Sequence, residues 1–350
     1  MKILTRLTAL LFAFALVACS KNTDNPPQEP DTYYYPPLTG TTWDTVSPAS
    51  LGWDAGKLND LLDYVGENNS SAFIVLHKGK IVVEKYWLGT STSSFRIFSA
   101  TKSMAAFLVG LAQEQGKLDI NNKVISYIPG GWSKATLAEE AAITIKDLMT
   151  MTSGLNENLT YDTVPGTRWR YNTLAYHKLY QVLAAAYNQS NDTYTTEQLW
   201  SKIGMQDSFW DTEPGGGPTM SCSARDMARF GLMILSEGQW NGVPLMSNTT
   251  YFQTMLNTTQ NLNPSYGYLW WLNGKSSYVL PTSVPVNGQL MPNAPADLVA
   301  ALGAGDKKIY VVKSKDLVVI RHGSPSNAPV SQALSNFDNE IWKRLMLAIE

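Results

Sequence analysis

Cysteine and histidine are scarce, with two and three residues in a chain of 350. Two cysteines, Cys19 and Cys222, exclude a disulfide framework, so stability must come from a hydrophobic core. Cys222, in MSCSARDMARFG beside a helix start, reads as a small buried hydrophobe, with no partner for thiol chemistry. His77, His177 and His322 are scattered and give no metal-ligand spacing. There is no G-x-S-x-G, H-E-x-x-H, G-x-x-x-x-G-K-S/T or G-x-G-x-x-G. A Ser-His-Asp triad therefore lacks a recognisable nucleophile elbow, and no cofactor is implied. Basic runs are missing too: 27 Lys+Arg stand against 29 Asp+Glu, a formal net charge of -2, which argues against nucleic acid as a partner.

What is present begins with a targeting signal. In MKILTRLTALLFAFALVAC, Lys2 and Arg6 precede an apolar run from Leu7 to Ala18 that is too short for a permanent bilayer span. Its end, Leu16-Val17-Ala18-Cys19, resembles the lipobox of bacterial lipoproteins. That resemblance implies cleavage before Cys19 and lipid on its sulfur and new amino end. The expected address is the cell envelope of a bacterium, with the lipid on Cys19 as the contact to the membrane. Residues 19–45, rich in proline and polar residues, read as an extended tether, and residues 46–350 as the folded domain.

Within that domain the ends are rich in β-strand signals and the middle is helical. AFIVLHKGKIVVEKYWL (72–88) is two β-rich runs around Lys78-Gly79-Lys80, and KIYVVKSKDLVVIRHG (308–323) repeats the arrangement. Between them, SMAAFLVGLAQEQG ends at a C-capping Gly116. Thr144/Asp147 and Ser223/Asp226 have the spacing of a cap and its partner. YGYLWWLN (266–273) returns to strand character, and a closing helix is expected behind a Ser335–Asp338 cap. The fold class expected is α/β of the α+β type: an antiparallel sheet formed from both chain ends, flanked by helices, with a helical region inserted at about 103–255.

One stretch carries candidate chemistry. FSATKS (98–103) holds the only S-x-x-K in the sequence, Ser99 and Lys102, at the junction from the β-rich start to the helical middle. On a helix, residues i and i+3 share a face, so Oγ and Nζ come within reach. A helix N-terminus adds N–H groups and a positive dipole end that favour developing negative charge. A serine hydroxyl needs a base to take its proton, and a lysine serves only when neutral, which burial favours. The bland alternative is a serine that caps a helix and a lysine exposed in its first turn.

The segment FRIFSATKSMAAFLVGLAQEQGKLDINNKVISYIP (95–129) resembles the nucleophile helix of the penicillin-recognising, β-lactamase-related serine hydrolases. The likeness continues in order through IKDLMTMTSGL (145–155), PGTRWRYNTLAY (165–176), SARDMARFGLMILSEGQWNG (223–242) and YGYLWW (266–271). It implies that Ser99 is acylated, that Lys102 is its proton partner, and that Tyr171 shares general acid/base duty. Asn172 and Thr173 fall in the family's Y-x-N element, with Thr173 where asparagine is usual. The third element, usually Lys-Thr-Gly or His-x-Gly, matches Ala301-Leu302-Gly303, without the cation. IRHG (320–323) is a second candidate, one strand too late. Asn172, Thr173 and Gly303 are then expected to contact substrate, and the N–H groups of Ser99 and Ala304 to form an oxyanion hole. The resulting expectation is a serine hydrolase acting through an acyl-enzyme on a small-molecule or peptide substrate, an ester or amide rather than a penicillin or D-Ala-D-Ala peptide. The alternative is a catalytically silent ligand-binding or envelope-scaffold protein of the same fold.

Overall fold

The computed structural model describes residues 33–328, 330–331 and 334–350. The signal segment, Cys19 and the tether as far as residue 32 lie outside the described residues. The compact unit starts at Tyr33, so residues 33–45 belong to the fold and not to the tether. Their aromatic rings are the reason. Tyr33 donates its hydroxyl to Asp316 at 2.6 Å, the Tyr34 N–H bonds the Lys78 carbonyl at 2.9 Å, and buried Trp43 donates to the Gly79 carbonyl at 2.8 Å.

Helix α1 (Ala55–Glu67) leads into strands β1 (Ser70–His77) and β2 (Lys80–Tyr86). Lys78 and Gly79 join the strands with φ of 49° and 80°, a two-residue turn in the left-handed region that matches strand twist. After a short strand β3 (Ser94–Arg96) comes α2 (Thr101–Glu114). The middle of the chain supplies α3 (Thr173–Tyr176), α4 (Lys178–Tyr187), a hairpin of β4 (Phe209–Thr212) and β5 (Pro218–Ser223), and α5 (Ala224–Leu235). The C-terminal part adds β6 (Trp271–Leu272), β7 (Val299–Gly303), β8 (Lys307–Val312), β9 (Leu317–Gly323) and α6 (Phe337–Ile349).

The main sheet has the order β2-β1-β9-β8-β7-β6, all antiparallel, so both chain ends build it as expected. Two-residue periodicity sorts its faces. On β8, Ile309 lies beneath Gly231 of α5, while the next residue, Tyr310, meets Trp342 of α6 edge-on at 5.6 Å. Helices therefore cover both faces. The inserted region is not wholly helical: β4 and β5 lie inside it and join β3, which precedes it, in a second, three-stranded sheet.

Local signals are borne out unevenly. Thr144 and Asp147 form a complete capping box. Ser223 caps α5, but the Asp226 carboxylate turns away to the Asp207 N–H and the Ser208 hydroxyl. Asn336 stands at the start of α6 without a side-chain cap bond, and Asp338 takes Lys308 at 2.9 Å and the Tyr310 hydroxyl at 2.5 Å, because a buried cation binds a carboxylate more strongly than a helix end does. YGYLWWLN yields only Trp271–Leu272 as strand, since Leu269 turns to φ 60°.

Helix α2 is buried from Thr101 to Ala112, so its position is fixed on all sides. At Gly110 an added Cβ would sit 2.3 Å from the Tyr251 ring, whose hydroxyl is tied to the Ala106 carbonyl at 2.7 Å. Gly110→Ala is expected to destabilise by about 1–3 kcal/mol through overpacking, despite alanine's better helix propensity. Urea unfolding of the two proteins reads this directly. Among the described residues, no helix is long and apolar enough to cross a membrane, and no group of side chains has metal-binding geometry.

Candidate active site

Ser99 sits in a single 3-10 turn, Phe98–Ala100, just before α2. It is not the helix cap: Ala100 holds that position, without a side-chain cap bond. Neighbouring strands hold the turn from both sides. The Ile97 N–H bonds the Met220 carbonyl of β5 at 2.9 Å. On the other side β7 presses close at Gly303, where a Cβ would lie 2.1 Å from the Ile97 carbonyl oxygen. Only glycine allows that approach. Phe98 takes φ 47°, an uncommon and strained value for a bulky residue, directly before the serine.

The hydroxyl released from capping meets Lys102. Nζ and Oγ are 3.0 Å apart. Lys102 is only 3% exposed, and burial lowers its pKa from 10.5 to about 7, with the field of Glu213 working in the opposite direction. The Tyr171 and Tyr176 rings lie 5.0 and 4.4 Å from Nζ. Their faces stabilise the ammonium form enough for the amine to cycle between charge states. The Ser99 hydroxyl lies beside the Tyr171 phenol and favours its ionised form. Burial raises the phenol above its ordinary pKa, opposed by the nearby Ser99 hydroxyl and reinforced by Glu213, so it keeps its proton at neutral pH. Trp271 stacks on the Tyr171 ring at 6.2 Å, and Trp169 and Tyr266 flank it at 6.3 and 6.5 Å.

Three distant stretches, 98–103, 169–176 and 301–304, thus converge. Not every expected side chain faces the opening. Asn172 does not: it is buried and caps α3, accepting from the Ala175 N–H at 3.0 Å and donating to the Leu155 and Asn156 carbonyls. Its amide is spent on fixing the loop, which corrects the expectation that it binds substrate. Thr173 is half-buried, and its hydroxyl has no partner among the described residues. Gly303 brings the exposed Ala304 alongside the Ser99 turn, and the Ala304 N–H is unbonded among the described turns and loops. Trp270 is core, stacked on Phe230 at 6.1 Å. Cys222 is buried, and burial raises its thiol pKa, as befits an inert thiol.

The histidines take other duties. His322 of IRHG is buried, bonded through Nε2 to the Cys222 carbonyl at 3.1 Å. His177 pairs with Glu213 at 3.2 Å. The sequence reading missed Glu213 and Lys307. Lys307 lies opposite Gly303 on β8, with Nζ 5.5 Å from the Phe98 ring, but donates to the Gly305 and Gly323 carbonyls. Glu213 opens a run of three glycines between prolines (213–218), a composition that marks a close backbone approach.

The profile of the Beta-lactamase family matches residues 58–320, and the chain belongs to that family. Solved structures share the fold at low identity. A Bacteroides dorei protein provisionally named a β-lactamase aligns with a TM-score of 0.67 and 17% identity, over 85% of this chain and 99% of that one. A Bacillus anthracis protein provisionally named a 6-aminohexanoate-dimer hydrolase gives 0.65 and 18%, over 90% and 88%. A β-lactamase/D-alanine carboxypeptidase from Yersinia pestis gives 0.62 and 14%, over 83% and 98%.

Proposed function

We propose that this chain is a serine hydrolase working through an acyl-enzyme, on an ester or amide and not efficiently on β-lactams. The observation that carries the proposal is the 3.0 Å contact between Ser99 Oγ and a buried Lys102 amine held near neutrality. Neutral Lys102 takes the Ser99 proton as Oγ bonds the acyl carbon. The former carbonyl oxygen gains negative charge beside the N–H groups of Ser99 and Ala304. The tetrahedral adduct then breaks its bond to the leaving group, which receives the proton from the ammonium, directly or through Tyr171. In the second half a water gives its proton to the same amine and attacks the acyl-enzyme, and Ser99 regains a proton as it leaves. Because Tyr171 stays a phenol, it passes on one proton as it receives another.

Family membership supports acyl transfer, as do the hydrolase and carboxypeptidase names of the Bacillus and Yersinia neighbours. The substrate preference rests on the third element. Ala301 offers no cation for a substrate carboxylate, and the Lys307 amine is occupied by carbonyls. Short-chain nitrophenyl esters are expected to be hydrolysed at least ~100-fold faster in kcat/KM than penicillin, with Tyr171→Phe slowing the ester by ~100-fold. Steady-state rates on both substrates test this. Fast penicillin turnover, or no turnover of any ester or amide, would overturn the proposal.

A further inference from the structure

The β4–β5 hairpin carries a carboxylate to the reacting centre. Strand β5 is bonded to the Ser99 turn along its length: Met220 accepts from Ile97, and Thr219 Oγ1 lies 3.2 Å from Thr101 Oγ1 and 3.4 Å from the Phe98 carbonyl. The loop just before β5 therefore leaves the strand close to the Ser99 turn, and the field of Glu213 reaches Lys102 and Tyr171. Glu213 opens that loop, and its N–H is fixed to the Gly217 carbonyl at 2.8 Å. His177, one residue beyond the Tyr176 that faces Lys102, holds the Glu213 carboxylate at 3.2 Å. Gly217 makes the pairing possible, because a Cβ there would lie 2.3 Å from His177 Cε1 and 2.8 Å from Glu213 Oε1. Among the described residues the Glu213 carboxylate accepts no hydrogen bond; His177 Nε2 approaches it to 3.2 Å, and the side chain remains 24% exposed.

The ionisable groups packed about this carboxylate carry no positive charge in the reactive state, apart from Lys178, which adjoins His177. Burial, with Lys102 and Lys178 nearby, lowers the His177 pKa to about 4, so the imidazole is neutral and does not cancel the charge. Lys102 must be neutral to act as base, and Tyr171 and Tyr180 both keep their protons. Arg96, on the neighbouring strand, is committed to Asp211 at 2.9 Å. Lys307 is tied to two carbonyls on the far side of the Ser99 turn.

We propose that Glu213 selects substrates bearing a cationic nitrogen, held in place by His177 and Gly217, so that the site favours ammonium-bearing esters or amides over neutral and carboxylate-bearing ones. The inference rests on the hydrolase reading above and adds the charge of its substrate. A single opposite-charge contact in an intermediate dielectric is expected to give about a tenfold preference.

The test uses nitrophenyl esters with a trimethylammonio group in the acyl chain, their tert-butyl isosteres and their carboxylate counterparts. A second series places the same groups in the leaving alcohol. The expected result is about tenfold higher kcat/KM for the cation over the isostere in one of the two series. That preference should be weakened by salt and reduced to near unity in Glu213→Gln. Taking ratios within each protein removes any effect of the substitution on Lys102 itself. A ratio near unity in the wild type, or one unchanged in Glu213→Gln, overturns the inference. Ser99-dependent hydrolysis of the neutral isostere would leave the hydrolase reading standing in that case, whereas no hydrolysis of any ester would overturn both.

Discussion

Ser99→Ala is expected to lower ester turnover by ~1,000-fold or more while leaving the melting temperature within about 1–2 °C. The second half of this expectation separates two roles for the residue. A capping serine stabilises its helix, and its loss costs about 1 kcal/mol. Here the hydroxyl caps nothing, because Ser99 lies in the turn before α2 and Ala100 stands at the cap. Its bonded partner is Lys102, and the residue is itself half-buried and no part of the core. Calorimetry and nitrophenol release on the same preparation read both quantities.

Lys102→Met is expected to stabilise the protein and to abolish its activity. A lysine buried with a pKa of about 7, against 10.5 in its ordinary state, carries a cost. Below about pH 7 both folded and unfolded chains hold the proton, and the cost is present in full. Between about 7 and 10.5 only the unfolded chain holds it, so wild-type stability rises with pH across that window. Methionine keeps most of the volume without the charge. At neutral pH the gain is expected to be roughly 2–4 kcal/mol, shrinking toward pH 10. A structural lysine would give the opposite sign. Activity runs with the neutral amine, so kcat/KM of the wild type on an uncharged ester is expected to climb through about pH 7 and level off above it. Denaturant unfolding at several pH values and a pH–rate profile test the pair of expectations.

The strands were legible because continuous β-branched, apolar runs and turn chemistry are local. Lys78-Gly79 between two β-rich runs specifies a hairpin wherever it occurs. The Ser99/Lys102 spacing was legible for the same reason, although the actual turn is 3-10 and the cap falls one residue later. What stayed hidden depends on contacts across the chain. Asn172 lies in a recognition motif, yet its amide is used by Leu155 and Asn156, residues that no spacing rule connects to it. Asp338 is spaced as a cap partner, but strand β8 supplies Lys308 and Tyr310, which bind it more strongly. Residues 33–45 have a tether's composition, and only the rings of Tyr33 and Trp43, finding partners near the β1–β2 and β8–β9 turns, make them part of the fold. Glu213 was hidden because its neighbour His177 is 36 residues earlier, brought to it by a glycine loop whose purpose shows only once folded.

The central claim is that Ser99 is the atom acylated. The most direct measurement is peptide mapping by mass spectrometry after treatment with a fluorophosphonate probe. One adduct per chain on the peptide containing Ser99, with none in Ser99→Ala, is the result predicted here. Equal labelling of Ser99→Ala, or an adduct on any other residue, would contradict the account.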